Sequence, residues 1–131
     1  MKIYIICYIL FLCLFGYSSQ NISQMKCSDR MKELIIDNPD TVIVQVKGLV
    51  CSSCAIGIRI GLAKLDGLDK NRFNKGVSLD SSNQYVLLAT SGNIDFNMVF
   101  EKIYNAGYDP MHLCYTQGDQ VIRIDAPQKN T

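Results

Sequence analysis

The chain has 131 residues, with 13 basic against 12 acidic side chains and 48% hydrophobic residues, which gives room for one domain with a decorated terminus. A formal charge of +1 argues against the basic stripe that marks nucleic-acid binders. Six cysteines beside a single histidine turn the reading toward sulfur chemistry.

Met1-Lys2 is followed by an uncharged run from Ile3 to Phe15 and by the small residues Gly16 and Ser18. One basic residue, an apolar core of about 13 residues and a small-residue exit make the pattern of a secretory signal peptide. Residues 1–18 are therefore expected to direct export, periplasmic or secreted, with cleavage after Ser18. The alternative is a retained membrane anchor, which wants roughly 20 apolar residues. Lipid attachment at Cys13 is disfavoured by bulky Leu12 before it. Loss of this segment removes Lys2, Cys7 and Cys13, leaving 12 basic and 12 acidic residues. Cys27, Cys51, Cys54 and Cys114 remain, an even number that an exporting route allows to pair.

Residues 19–40 form an N-terminal arm, polar apart from Leu34-Ile35-Ile36, read as a helix or loose segment closing in the turn Asp37-Asn38-Pro39-Asp40. Thr41 to Lys47 alternates, with Val42, Val44 and Val46 on one face, and predicts a strand. Ile58, Leu62 and Leu65 recur at helical spacing from Cys54 onward, with Gly67 as the stop. Val77–Asp80 and Gln84–Thr90 flank Ser81-Ser82-Asn83 as a hairpin, with Gly76 marking a bulge. Asn93 is expected to cap a second helix with inner residues Ile94, Met98, Val99 and Ile103, ended by Gly107. Tyr108–Thr116 is a further strand, and Val121–Ile124 an extra edge strand. The domain is thus expected over 41–125, with a disordered tail at 126–131. The order strand, helix, strand, strand, helix, strand is the split βαβ arrangement. It predicts an α+β, ferredoxin-like βαββαβ sandwich: an antiparallel sheet with two helices on one face.

Lys47-Gly48-Leu49-Val50-Cys51-Ser52-Ser53-Cys54 places two thiols between that first strand and first helix. A helix N-terminus stabilises anions, so both thiols are expected to ionise readily. Two thiolates separated by small residues can bracket one soft ion such as Cu(I), but do not complete the tetrahedral set that zinc prefers. A CxxC alone also fits a redox pair or a plain disulfide.

Residues 42–115 resemble the heavy-metal-associated domain family, which includes copper chaperones and the periplasmic mercury-binding protein. The family motif Gly-Met-Thr-Cys-x-x-Cys stands here as Gly48-Leu49-Val50-Cys51-Ser52-Ser53-Cys54. Ile58, Leu62, Leu65, Gly67 and Leu68 match its helix, and Ala106-Gly107-Tyr108 matches its Ala-Gly-Tyr. The resemblance implies a non-enzymatic metallochaperone with one soft metal ion, Cu(I) first and Hg(II) second, held by Cys51 and Cys54. Tyr108 would shield the site, or serve only as a core-edge residue. The implied partner is a metal-transporting membrane protein or a metal-acceptor domain, met by a monomer. A thiol–disulfide oxidoreductase or a non-metal interaction module is the alternative. Leu49 replaces the family methionine, Arg59 a frequent glutamate, and Gly57 and Gly61 stand inside the helix, where close packing on the sheet is the expected reason.

For Cys27 and Cys114 the family offers no template. In a split βαβ sheet Cys114 lies far from the metal end, near the start of the first strand, where the arm arrives. If Met111, Leu113 and Tyr115 face the core, Cys114 points to the open face beside Ile43. A structural disulfide, Cys27 to Cys114, is expected there, against the alternative of two unpaired buried cysteines. His112 is expected at the surface, and Met25, Met31, Met98 and Met111 in the core or arm.

Overall fold

The alternating stretch Thr41–Lys47 forms strand β1, and all of Thr41 to Val44 is buried. A strand buried on both faces needs cover from two sides, and the rest of the chain supplies it. The structure, a computed structural model, describes residues 7–8, 26–50 and 55–128. The expected signal segment, apart from Cys7 and Tyr8, lies outside these residues, as do the last three of the expected tail. No helix among the described residues is long and apolar enough to cross a membrane.

Helix α1 spans Asp29–Asp37, α2 Ile56–Leu62 and α3 Phe96–Asn105. Strands β2 to β5 span Val77–Asp80, Tyr85–Ala89, Asp109–Gln117 and Gln120–Asp125. The fold is α+β: one five-stranded sheet in the order β2-β3-β1-β4-β5, with every pair antiparallel.

The two faces of β1 feed two cores. Val42, Val44 and Val46 join Ile58 and Leu62 of α2, Val99, Phe100 and Ile103 of α3, and Leu113 of β4. Ile43 on the other face joins Met31 and Ile35 of α1, with Tyr85, Leu87, Cys27 and Cys114. The described part of the arm thus carries a helix, Asp29–Asp37. Ser28 caps it by accepting the Met31 N–H at 3.2 Å, and its apolar side covers the sheet face that α2 and α3 leave open.

Several local expectations change. Helix α2 ends at Leu62, because the next turn tightens into Leu62–Leu65 and Gly61–Lys64 backbone bonds. Leu65 is buried beyond the helix rather than in it. Gly57 and Gly61 approach α3, not the sheet: a β-carbon on either would stand 4.0 Å from Ala106 or Lys102. Asp95, not Asn93, caps α3, its carboxylate accepting the Asn97 N–H at 3.0 Å. That offset turns Met98 outward and Phe100 inward. Gly76 has φ +86 in a turn where its N–H meets Arg72 O, rather than marking a bulge. The bulge lies instead in β4, where register shifts between Gln45–His112 and Val46–Pro110. Met111 is displaced there and half exposed, while Leu113 keeps to the core. At the tail, Ala126 N–H reaches Met111 O at 3.0 Å and the Tyr104 hydroxyl donates to Pro127 O at 2.7 Å, so 126–127 are held to the domain.

Candidate functional site

Cys51 and Cys54 lie outside the described residues, and the structure frames them from both sides. Strand β1 ends at Lys47, opposite Asp109. Gly48 then turns with φ +90, a conformation that favours glycine. Leu49 returns to the core at 1% exposure, Val50 stands out at 74%, and Ala55 is fully buried ahead of α2. Leu49 is therefore an apolar anchor that ties this segment to the core. The chain leaves the core at Val50 and is back in it by Ala55.

Two other elements reach this end. Tyr108 follows Gly107, which lies just beyond the end of α3 with φ +91, and the Tyr108 N–H meets Ile103 O at 3.2 Å. Its ring edge lies 3.8 Å from where a Gly48 β-carbon would stand, so the half-buried tyrosine packs beside the start of the cysteine loop. The tip of the β2–β3 hairpin supplies the other contact. Gln84 has φ +58, its side-chain oxygen accepts the Gly48 N–H at 3.1 Å, and its carbonyl accepts the Val46 N–H at 2.9 Å. Gln45 braces the same tip by donating to Asn83 O and Gln84 O.

Sequence reading gave Gln84 no role. A polar residue after a Ser-Ser-Asn tip carries no signal that its side chain returns to a loop 36 residues away. Gln84→Ala is expected to speed hydrogen exchange of the Gly48 amide about fivefold, the equivalent of one neutral hydrogen bond of about 1 kcal/mol. Gln84→Glu, which keeps an acceptor, should restore it. Unchanged exchange in the alanine variant would show that the bond does not hold the loop.

The remaining candidates lie elsewhere. Cys27 and Cys114 are joined by a disulfide, with Cα atoms 6.2 Å apart. Cys114 pairs with Ile43, and Asp109 with Lys47, which sets the disulfide roughly 15 Å along β4 from the loop end. Two further contacts hold the arm to the sheet: Ser28 Oγ lies 3.0 Å from the Tyr85 hydroxyl, and Arg123 donates to Lys26 O at 3.3 Å. His112 faces Gln45 in the register and is half-buried. Burial first, and Arg123 second, hold its pKa below the ordinary 6.5 against the opposing pull of Asp125. Among the described residues, no group of three or more His, Cys, Asp or Glu side chains is placed to hold a metal. Comparison of the chain with family models, with curated proteins and with solved structures finds no match.

Proposed function

We propose that this chain is an exported carrier of one soft metal ion, Cu(I) or Hg(II), held between the Cys51 and Cys54 thiolates. Its fold is then a ferredoxin-like βαββαβ core, with β5 added at the edge and α1 added on the second face. The observation that carries the reading is the framing of Cys51-Ser52-Ser53-Cys54. The core residues Leu49 and Ala55 flank this stretch, both buried, and Val50, directly before Cys51, is exposed. Two cysteines flanked by core residues suit transfer by ligand exchange: an incoming partner thiolate adds to the ion before one of the two cysteines leaves. Sulfur ligands suit a soft, low-coordinate ion that can accept a third ligand for a moment. Tyr108, packed beside Gly48, limits access of water from one side. The acceptor is a metal-transporting membrane protein or a metal-acceptor domain, and the exchange needs no covalent catalysis.

The disulfide bears on this chemistry by removing Cys27 and Cys114 from the pool of thiols. Titration of the anaerobically prepared protein against a Cu(I) chelator is expected to give one bound ion per chain. Cys51→Ser and Cys54→Ser should each reduce binding to background, while the Cys27→Ala/Cys114→Ala pair keeps it. Unchanged binding in either loop variant would overturn the assignment, and disulfide-reductase activity without metal binding would favour the oxidoreductase instead.

A further inference from the structure

Helix α2 has an outward face as well as a core face. Ile58 and Leu62 are buried, whereas Ile56 is 49% exposed and Ile60 56% exposed. Between that outward face and the loop leading into β2 lies a cleft of about 450 Å³, within the size range of small-ligand sites. Ile60 and Ala63 supply apolar wall, and Arg59, Lys64, Lys70 and Lys75 supply four cations, with no carboxylate among the lining residues. Asp69, which precedes Lys70, is not among the lining residues, and its carboxylate accepts the Asn71 N–H at 3.1 Å. The Arg59 Nε–H is shut off from solvent and meets no acceptor among the described residues. A partly desolvated guanidinium without a counter-charge is costly, and an anion beside it offsets that cost. Apolar wall and uncompensated cations together select a ligand with both characters.

The geometry points to this cleft as a binding site for an anionic amphiphile: a phosphate or carboxylate group carrying an apolar chain. Arg59 and the three lysines take the anion, and Ile60 and Ala63 take the start of the chain. A soluble acyl or alkyl anion and the headgroup of an anionic lipid share that chemistry. The site is independent of Cys51 and Cys54 and of the metal reading.

Residue-resolved NMR titration of the full ¹⁵N-labelled chain tests it, because the Arg59 Nε–H has its own resonance. Octyl phosphate, kept below its micelle-forming concentration, should give saturable shifts at Arg59 Nε–H and at the Ile60, Lys64 and Lys75 amides. Inorganic phosphate should shift the same set with at least about tenfold weaker affinity, since it lacks the buried methylenes. Octyl glucoside, which has the chain without the charge, should leave them unmoved. Arg59→Gln should weaken octyl phosphate about tenfold by removing a charge-assisted contact, with the remaining spectrum unchanged. Phosphatidylglycerol vesicles that broaden the same resonances, where phosphatidylcholine vesicles do not, would make the source a lipid headgroup. Octyl phosphate binding with no vesicle response would make it a soluble ligand. No saturable shift at these residues, equal shifts with octyl glucoside, shifts confined to residues 1–25, or an unaffected Arg59→Gln variant would each overturn the proposal.

Discussion

Replacing Cys27 and Cys114 together by alanine is expected to lower the unfolding free energy by about 4–5 kcal/mol, by the loop-closure entropy of so long a loop. The two residues stand 87 positions apart, so the bond restricts most of the unfolded domain. Both are buried in the core that Met31, Ile35, Ile43, Tyr85 and Leu87 form, and alanine introduces no polar group there. The nine-residue α1 is short, and helices of that length are marginal in water without tertiary contacts. Its hold on the sheet otherwise rests on its own apolar side and the contacts at Ser28 and Lys26. For a domain near 100 residues such a loss lowers the melting temperature by roughly 15–30 °C. Thermal melts under non-reducing conditions check this, and wild type with reductant should melt with the variant. A change below about 1 kcal/mol, the scale of an ordinary point mutation, would mean that the arm is held by packing alone.

Gly67→Ala is expected to cost about 2–5 kcal/mol, left-handed strain and a steric clash together, against about 1–2 kcal/mol of strain alone at Gly107→Ala. The two glycines have almost the same backbone, with φ +90 and φ +91. They differ in surroundings. A β-carbon on Gly67 would stand 2.6 Å from the Asn93 carbonyl oxygen and 3.1 Å from Ile94 Cγ1, while one on Gly107 meets nothing within 4 Å. The Asn93 backbone cannot retreat easily, because Ser91 N–H is bonded to Gly67 O at 2.8 Å. This turn joins the segment after α2 to the loop before α3, so the damage spreads to both helices. Urea unfolding of the two variants at unchanged m separates the contributions. Equal midpoints would show that the loop yields and that only the backbone strain counts.

The strands and the core face of β1 were legible because alternation at period two is a strong pattern: Val42, Val44 and Val46 all lie in one core. The helices were legible in existence and less so in extent. Leu65 fits the helical spacing, yet is buried just as well from a tightened turn, and periodicity alone does not distinguish the two. Asn93 and Asp95 are both good capping residues two positions apart, and the choice between them decides whether Met98 or Phe100 faces inward. The β4 bulge has no sequence mark, so simple alternation points Met111 to the core face although it is half exposed. The hairpin latch at Gln84 and the burial of the Arg59 Nε–H, which meets no acceptor among the described residues, depend on how elements distant in sequence come together, which no local pattern carries. Arg72 is a similar case: its guanidinium donates to Pro39 O, Asp40 O and Thr41 Oγ1, tying an unassigned loop to the start of β1. Of the proposed metal pair, the sequence supplies two cysteines at close spacing, and the structure shows the residues that flank them, buried Leu49 and Ala55 and exposed Val50.

The Cys27–Cys114 bond also has a consequence for the order in which the chain is made. Of the four cysteines beyond residues 1–18, synthesis presents Cys27 first, then Cys51 and Cys54, and Cys114 last. If the chain is oxidised as it emerges, the earliest of these partners available to Cys27 are thus Cys51 and Cys54, and a bond to either would strand the arm and consume a thiol of the proposed metal pair. Exchange, in which a free thiolate attacks the mispaired bond, can correct the error only while one thiol is still reduced. Attack by Cys54 on a Cys27–Cys51 bond, or by Cys51 on a Cys27–Cys54 bond, would release Cys27 for the partner that arrives last, and the Cys51–Cys54 bond so formed would then have to be reduced before the proposed metal pair is free.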